Sequence, residues 1–275
     1  MSITASQVNA LRQKTGAGMM DCKKALVEAN GDEQEAIDIL RKKGQKVAAK
    51  RGDNETKEGL VIAKVTAPGE GVILSLNCET DFVAKNEEFY KLVDSLVDKA
   101  AASNTEDITS FLNEKYDGSL TVGEKLTEQI GVIGEKLEIS TIGKINAPAV
   151  VAYNHPGNQI AALVGLSKDT DAAKEAGKQV AMQVAAMAPI ALNKDGVDED
   201  TIKREIEIGK ELAIQEGKPA DMAENIAIGR LNKFFKENTL LSQPTIKDGK
   251  KSVEQYLNET ESGLTVNDFK RVALK

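Results

Sequence analysis

The chain has 275 residues, 41% of them hydrophobic, and sets 43 acidic against 36 basic residues for a formal net charge of −7. Such a length accommodates two or three packed units, and the acidic balance argues against a uniformly basic nucleic-acid binder, because neutralising phosphates takes a surplus of Lys and Arg. No apolar run reaches the ~18 residues of a membrane span, residues 1–10 lack signal-peptide order, Cys22 and Cys78 form no CxxC pair, and the single histidine, His155, excludes poly-His metal chemistry.

Residues 1–53 read as three short helices. Thr4 and Gln7 stand three apart ahead of Val8 and Leu11, the spacing of a capping box. After Thr15-Gly16-Ala17-Gly18, the residues Met19, Cys22, Leu26 and Ala29 recur at helical spacing until Asn30-Gly31 stops them. Asp32 and Glu35 then cap a third helix with Ala36, Leu40 and Val47 on one face. Its end is basic: Arg41, Lys42, Lys43, Lys46, Lys50 and Arg51 fall within eleven residues free of acids. Ten basic against seven acidic residues give these 53 positions +3 and leave −10 for the rest. The run suits an acidic partner or ribosomal RNA, and equally a solvated helix end whose cations offset the C-terminal dipole. Arg51-Gly52-Asp53 spells an adhesion tripeptide by chance, and residues 53–57 read as a linker.

From Gly59 the period changes to two. Residues 60–66 and 72–78 are strands around the turn Ala67-Pro68-Gly69-Glu70-Gly71, and residues 82–102 return to helical spacing. The arrangement recurs: strands 149–153 and 159–166 flank Asn154-His155-Pro156-Gly157-Asn158, and an apolar helix over 172–188 follows through Val180, Val184 and Met187. Two hairpins, each followed by a helix, predict an α+β fold of two similar antiparallel-sheet-plus-helix halves, since parallel strands would need a crossover between each pair. Residues 200–216 and 219–236, separated by Gly217-Lys218-Pro219, form a helical hairpin with Ile202, Ile206, Leu212, Ala213, Met222, Ile226 and Phe234 as its apolar positions. A helix near 252–257 and a strand around 266–272 complete the chain. The expected organisation is a helical module over 1–53, one core subdomain over 54–144, a second over 145–198 and 237–275, and the hairpin insertion over 199–236.

Active-site signatures are missing. Gly118-Ser119-Leu120-Thr121-Val122-Gly123-Glu124-Lys125 has two glycines at phosphate-loop spacing, but Glu124 occupies the Lys position and would repel a phosphate. His155 has no nucleophile near it in sequence. One segment departs from local rules: in Asn77-Cys78-Glu79-Thr80-Asp81-Phe82-Val83 a strand runs into a helix capped by Thr80 or Asp81, with Phe82 in the first turn. It is either a cap with a hydrophobic staple or an aromatic wedge beside a carboxylate, offered to a partner from a rigid element.

Residues 76–86, Leu76-Asn77-Cys78-Glu79-Thr80-Asp81-Phe82-Val83-Ala84-Lys85-Asn86, resemble the central signature of the bacterial translation elongation factor Ts family, and Leu11-Arg12-Gln13-Lys14-Thr15-Gly16-Ala17-Gly18-Met19-Met20-Asp21-Cys22-Lys23-Lys24-Ala25-Leu26 its N-terminal one. Ile133-Gly134-Glu135-Lys136, Tyr153-Asn154-His155 and Gly217-Lys218-Pro219 agree as well. The resemblance covers essentially the whole chain and departs at the C-terminus, where the helical module that some members append after the strand with Phe269-Lys270-Arg271 is missing. It implies a ubiquitin-associated-like N-terminal module and guanine-nucleotide exchange on the GTPase elongation factor Tu. Arg12, Met19 and Met20 would bind a helix of the GTPase domain. Asp81 and Phe82, flanked in the motif by Thr80 and Val83, would enter beside the Mg2+ and phosphates, with Ile133 and His155 adding contacts. A cytoplasmic protein that is not an enzyme is expected, with no cofactor, no metal, no membrane partner, no strong nucleic-acid binding and a candidate homodimer contact on the hairpin. A holdase or scaffold using the hairpin as its arm is the competing reading.

Overall fold

Short local signals set the first helices. In the computed structural model, which describes residues 3–118 and 120–274 and of 220 and 221 the backbone alone, Thr4 and Gln7 close a capping box on α1 (Ala5–Thr15). Gly16, left-handed at φ 70°, ends it. The helices α2 (Met19–Glu28) and α3 (Glu33–Lys50, capped by Asp32) follow. Val8, Leu11, Cys22, Leu26 and Ala36 make their shared core. Met19, placed in the apolar stripe by spacing, stands outside this core and is exposed.

Val47 also departs from expectation. It lies on the same face as Ala36, but eleven residues, about 16 Å, further along the axis. There α3 has outrun the first core, and Val47 and Ala48 pack on the next one. The crossing is with the helix over Val122–Ile133 and is glycine-on-glycine: a Cβ on Gly131 would lie 2.7 Å from the Gly44 Cα.

The strands β1 (Glu58–Ala67) and β2 (Glu70–Cys78) form the first hairpin. The chain then builds α4 (Asp81–Ala84), α5 (Glu87–Ala102), α6 (Ile108–Asn113) and α7 (Val122–Ile133) before β3 (Glu138–Asn146) returns beside β2. The helix expected over 82–102 is therefore two, because the Asn86 side chain accepts the Glu88 N–H and starts a new helix. A second sheet, in the order β4-β5-β6, takes β4 (Ala149–Asn154), β5 (Ile160–Leu166) and β6 (Val266–Ala273). Between β5 and β6 lie α8 (Asp171–Met187), the hairpin α9 (Glu199–Gln215) and α10 (Ala220–Asn238), and α11 (Val253–Thr260).

Alternation along the strands serves two cores at once. Leu60, Ile62, Val72, Leu74 and Leu76 face the helices α5 and α7, whereas Val61, Ala63 and Ile73 meet Val150, Ala161 and Leu163 of the other sheet. The sheets approach closely at glycines; a Cβ on Gly71 would stand 2.7 Å from Val150 Cγ1. The hairpin closes on Gly209, Ala213, Ala223, Ala227 and Leu231. Leu212 and Met222, expected in that seam, are exposed, because a small-residue seam lets the two backbones approach and turns the longer neighbours outward. Met187, at the last turn of α8, is likewise exposed.

Candidate functional site

β2 delivers the chain to the site. Its last residue, Cys78, is buried, and burial, with the charge of Glu135 adding, pushes its thiol up to about 12, so it is no nucleophile at neutral pH. Thr80 is the cap of α4: its hydroxyl accepts the Val83 N–H at 3.5 Å and donates to Glu135 Oε1 at 2.6 Å. Successive helical residues point about 100° apart. Val83 therefore turns in against the core of the first sheet, and Phe82 turns out, 83% exposed. Leaving a phenylalanine there forgoes about 1.5–3 kcal/mol of burial. Asp81 stays beside it, paired with Lys85 at 2.6 Å, and that hydrogen bond holds its carboxyl below the usual range.

Ile133 ends α7 next to Gly134, left-handed at φ 83°, and is half-buried against the core of the first sheet. It lies two residues before Glu135, so the carboxylate that holds Thr80 brings Ile133 and residues 80–83 to one end of the first sheet. His155 is exposed in the turn between β4 and β5, with Tyr153 Oη 3.0 Å from its Nδ1. That turn is fastened to the edge of β1. Asn154 accepts the Ala63 N–H at 2.8 Å and donates to the Ala63 carbonyl at 2.9 Å, while the Asn158 carbonyl accepts the Val61 N–H at 2.7 Å. Val61 stands three residues, about 10 Å, from Glu58, the β1 partner of Cys78.

Arg12, Met19 and Met20 lie exposed on α1 and α2, which meet the rest of the protein mainly through α3 and Val132. Val27, seven residues after Met20 and so on the same helix face, is exposed too; it lies off the buried stripe that periodicity reveals. Three cations of the basic run are already engaged: Arg41 with Glu124, Lys43 with Asp21 and Arg51 with Glu79. Glu79 and Glu135 carry no signal of a site role in the sequence, since nothing local couples two carboxylates 56 positions apart.

The glycine-bearing run at 118–125 is a helix start. Glu124 accepts the Thr121 N–H and Thr121 the Glu124 N–H, a capping box on α7; Ser119 lies outside the described residues. Among the described residues no three His, Cys, Asp or Glu side chains are grouped to hold a metal ion, and no helix is long and apolar enough to cross a membrane.

A sequence profile described as Elongation factor TS matches residues 79–275. The chain is 55% identical to the Elongation factor Ts of Christiangramia forsetii over 273 residues, 99% of this chain and 98% of that one. It is 53% identical to that of Flavobacterium psychrophilum, with 99% of each chain covered, and 40% identical to that of Porphyromonas gingivalis, with 100% and 99% covered. With likeness of this extent along both signatures and both sheets, the chain belongs to the elongation factor Ts family of translation elongation factors.

Proposed function

We propose that the protein binds elongation factor Tu in the cytoplasm and promotes GDP release by disturbing its Mg2+ and phosphate site. The observation that carries this reading is Phe82, an exposed aromatic on a capped turn with Asp81 beside it. A factor speeds release only by binding the emptied or distorted partner more tightly than the filled one, and the coupling is reciprocal: it loosens GDP by the factor by which GDP loosens it. A wedge driven beside the metal-bearing elements supplies that preference, since its contacts are made where GDP has lost its own. No bond is made or broken, so the factor is not an enzyme and needs no nucleotide pocket. Arg12, Met19 and Met20 dock it, Thr80 and Val83 seat the wedge, and Ile133 and His155 add core contacts. With half of the basic run paired inside the chain, free tRNA should bind weakly and lose affinity with salt.

The test is release of a fluorescent GDP analogue from purified elongation factor Tu in a stopped-flow instrument. Acceleration by substoichiometric protein is expected; an unchanged rate overturns the reading. A second reading, a holdase or scaffold, is favoured by Ile208, Leu212, Met222 and Ile228, which are exposed on the hairpin. It requires that deleting the hairpin abolish client protection while GDP release stays at its intrinsic rate. A homodimer through the same surface would appear as a concentration-dependent mass in sedimentation.

A further inference from the structure

The strand exit that carries Phe82 is tied to the turn after α7 in both directions. Glu135 Oε2 accepts the N–H groups of Glu79 at 3.1 Å and Thr80 at 3.0 Å, and its Oε1 accepts the Thr80 hydroxyl at 2.6 Å. In return, Glu79 Oε1 accepts the Lys136 N–H at 2.6 Å. Each carboxylate thus binds the backbone of the segment that carries the other. Glu79 Oε2 also takes Arg51 Nη1 at 2.7 Å and Asn54 Nδ2 at 2.9 Å, and Lys136 Nζ reaches the carbonyls of Gly52 at 2.9 Å and Asn54 at 3.1 Å. The stretch expected to be a linker is therefore pinned to the same knot. Burial would raise the Glu79 carboxyl, but the Lys136 N–H, Asn54 and Arg51 together bring it below the ordinary carboxylate range.

Leu76, Cys78 and Ile139 fill the apolar core at that end of the sheet, and this polar arrangement lies outside it. What it decides is orientation. A four-residue helix is too short to persist by itself. By accepting the hydrogen bond of the Thr80 hydroxyl, Glu135 leaves an oxygen lone pair for the Val83 N–H and so aims the cap. The rotation of α4, and with it the direction of Phe82, then follows from bonds to ionised acceptors, which are the stronger kind.

We propose that Glu135 and Glu79 are positioning residues for nucleotide exchange, a reciprocal latch that holds Phe82 in the direction in which it enters the partner. The proposal rests on the exchange-factor reading and adds to it the parts that aim the wedge. Glu135→Ala should remain folded, lower the maximal GDP-release rate at saturating protein about tenfold, and leave the half-saturating concentration within about twofold. The Val83 amide should exchange its hydrogen at least about tenfold faster. In a Phe82→Ala background the same change should cost nothing further, because the latch acts through that side chain. Glu135→Gln, which keeps one acceptor oxygen, should lie in between and supplies the measurement if the alanine variant does not fold. Wild-type maximal rate in both variants, or an undiminished loss in the Phe82→Ala background, would overturn the latch while leaving the exchange reading intact. Absence of accelerated release with wild-type protein overturns that reading itself, and this role for the latch with it.

Discussion

The two sheets repeat one strand exit and use it differently. In the first, β2 ends, Thr80 caps a helix, and the sequence continues Asp81-Phe82-Val83; in the second, β5 ends, Thr170 caps a helix, and the sequence continues Asp171-Ala172-Ala173. Both threonines donate to a glutamate ahead of the third strand, Thr80 to Glu135 and Thr170 to Glu261, each at 2.6 Å. The residue after the aspartate is exposed in both, and the next packs inward. Yet α8 runs 17 residues without a break, and Glu261 takes the Lys168 ammonium in addition to Thr170. α4 stops after four residues, and Glu135 takes two backbone N–H groups instead. The threonine–glutamate tie is thus a general way of turning a strand into a helix in this fold. The exposed aromatic, the short helix and the backbone latch are what the first half adds.

The largest test of that difference is Phe82→Ala. It should fold, melt near wild type and release GDP roughly thirtyfold more slowly, the scale of about 2 kcal/mol for truncating an interface aromatic anchor. Phe89→Ala, two turns of chain away but fully in the core, should instead cost about 3–5 kcal/mol of stability. Thermal melts beside stopped-flow release separate the two, and a Phe82→Ala protein that unfolds early yet exchanges normally would make Phe82 a structural residue. The next largest effect belongs to docking. Met20→Ala should raise the half-saturating concentration about tenfold and spare the maximal rate, because that side chain stands exposed on α2 of the helical module and not on the strand exit that carries the wedge. A fall in the maximal rate alone would end the division between docking and exchange. Point changes suit this question better than removal of residues 1–53, which would uncover the seat of Val47 and Gly44.

Acid should act on the first half through Glu79. Its carboxyl is held below the ordinary value of 4.5, so its contribution to stability is complete above that value and is lost as pH falls through the lowered one. Unfolding curves of wild type and Glu79→Gln should therefore differ at pH 7 and draw together below about pH 4.5. A constant gap down to pH 2 would show that the charge does not matter. The smallest expected effect is that of Glu261→Ala, the matched change in the second half. It should leave GDP release at the wild-type rate with only a modest drop in melting temperature. A loss of exchange equal to that of Glu135→Ala would show that the tie serves the fold alone.

Much of this organisation was legible along the chain. The Thr4–Gln7 box, the Asp32 cap, both hairpin turns and the odd place of Phe82 are encoded within three or four residues, the range over which caps, turns and periodicity act. The partner and the roles proposed for these residues rest on the family signatures, since no spacing carries them. Tertiary structure alone decided where the stripes end and what the polar residues hold. Val47 belongs to the second core because α3 is longer than the module it starts in, and the hairpin closes on Gly209 and Ala227 because backbone approach outweighs side-chain size there. β3 meets β2 only after four intervening helices, and Glu79 meets Lys136 across 57 positions. A hydrogen bond between such distant segments leaves no local pattern, since each carboxylate by itself reads as one more solvated acid in an acidic chain.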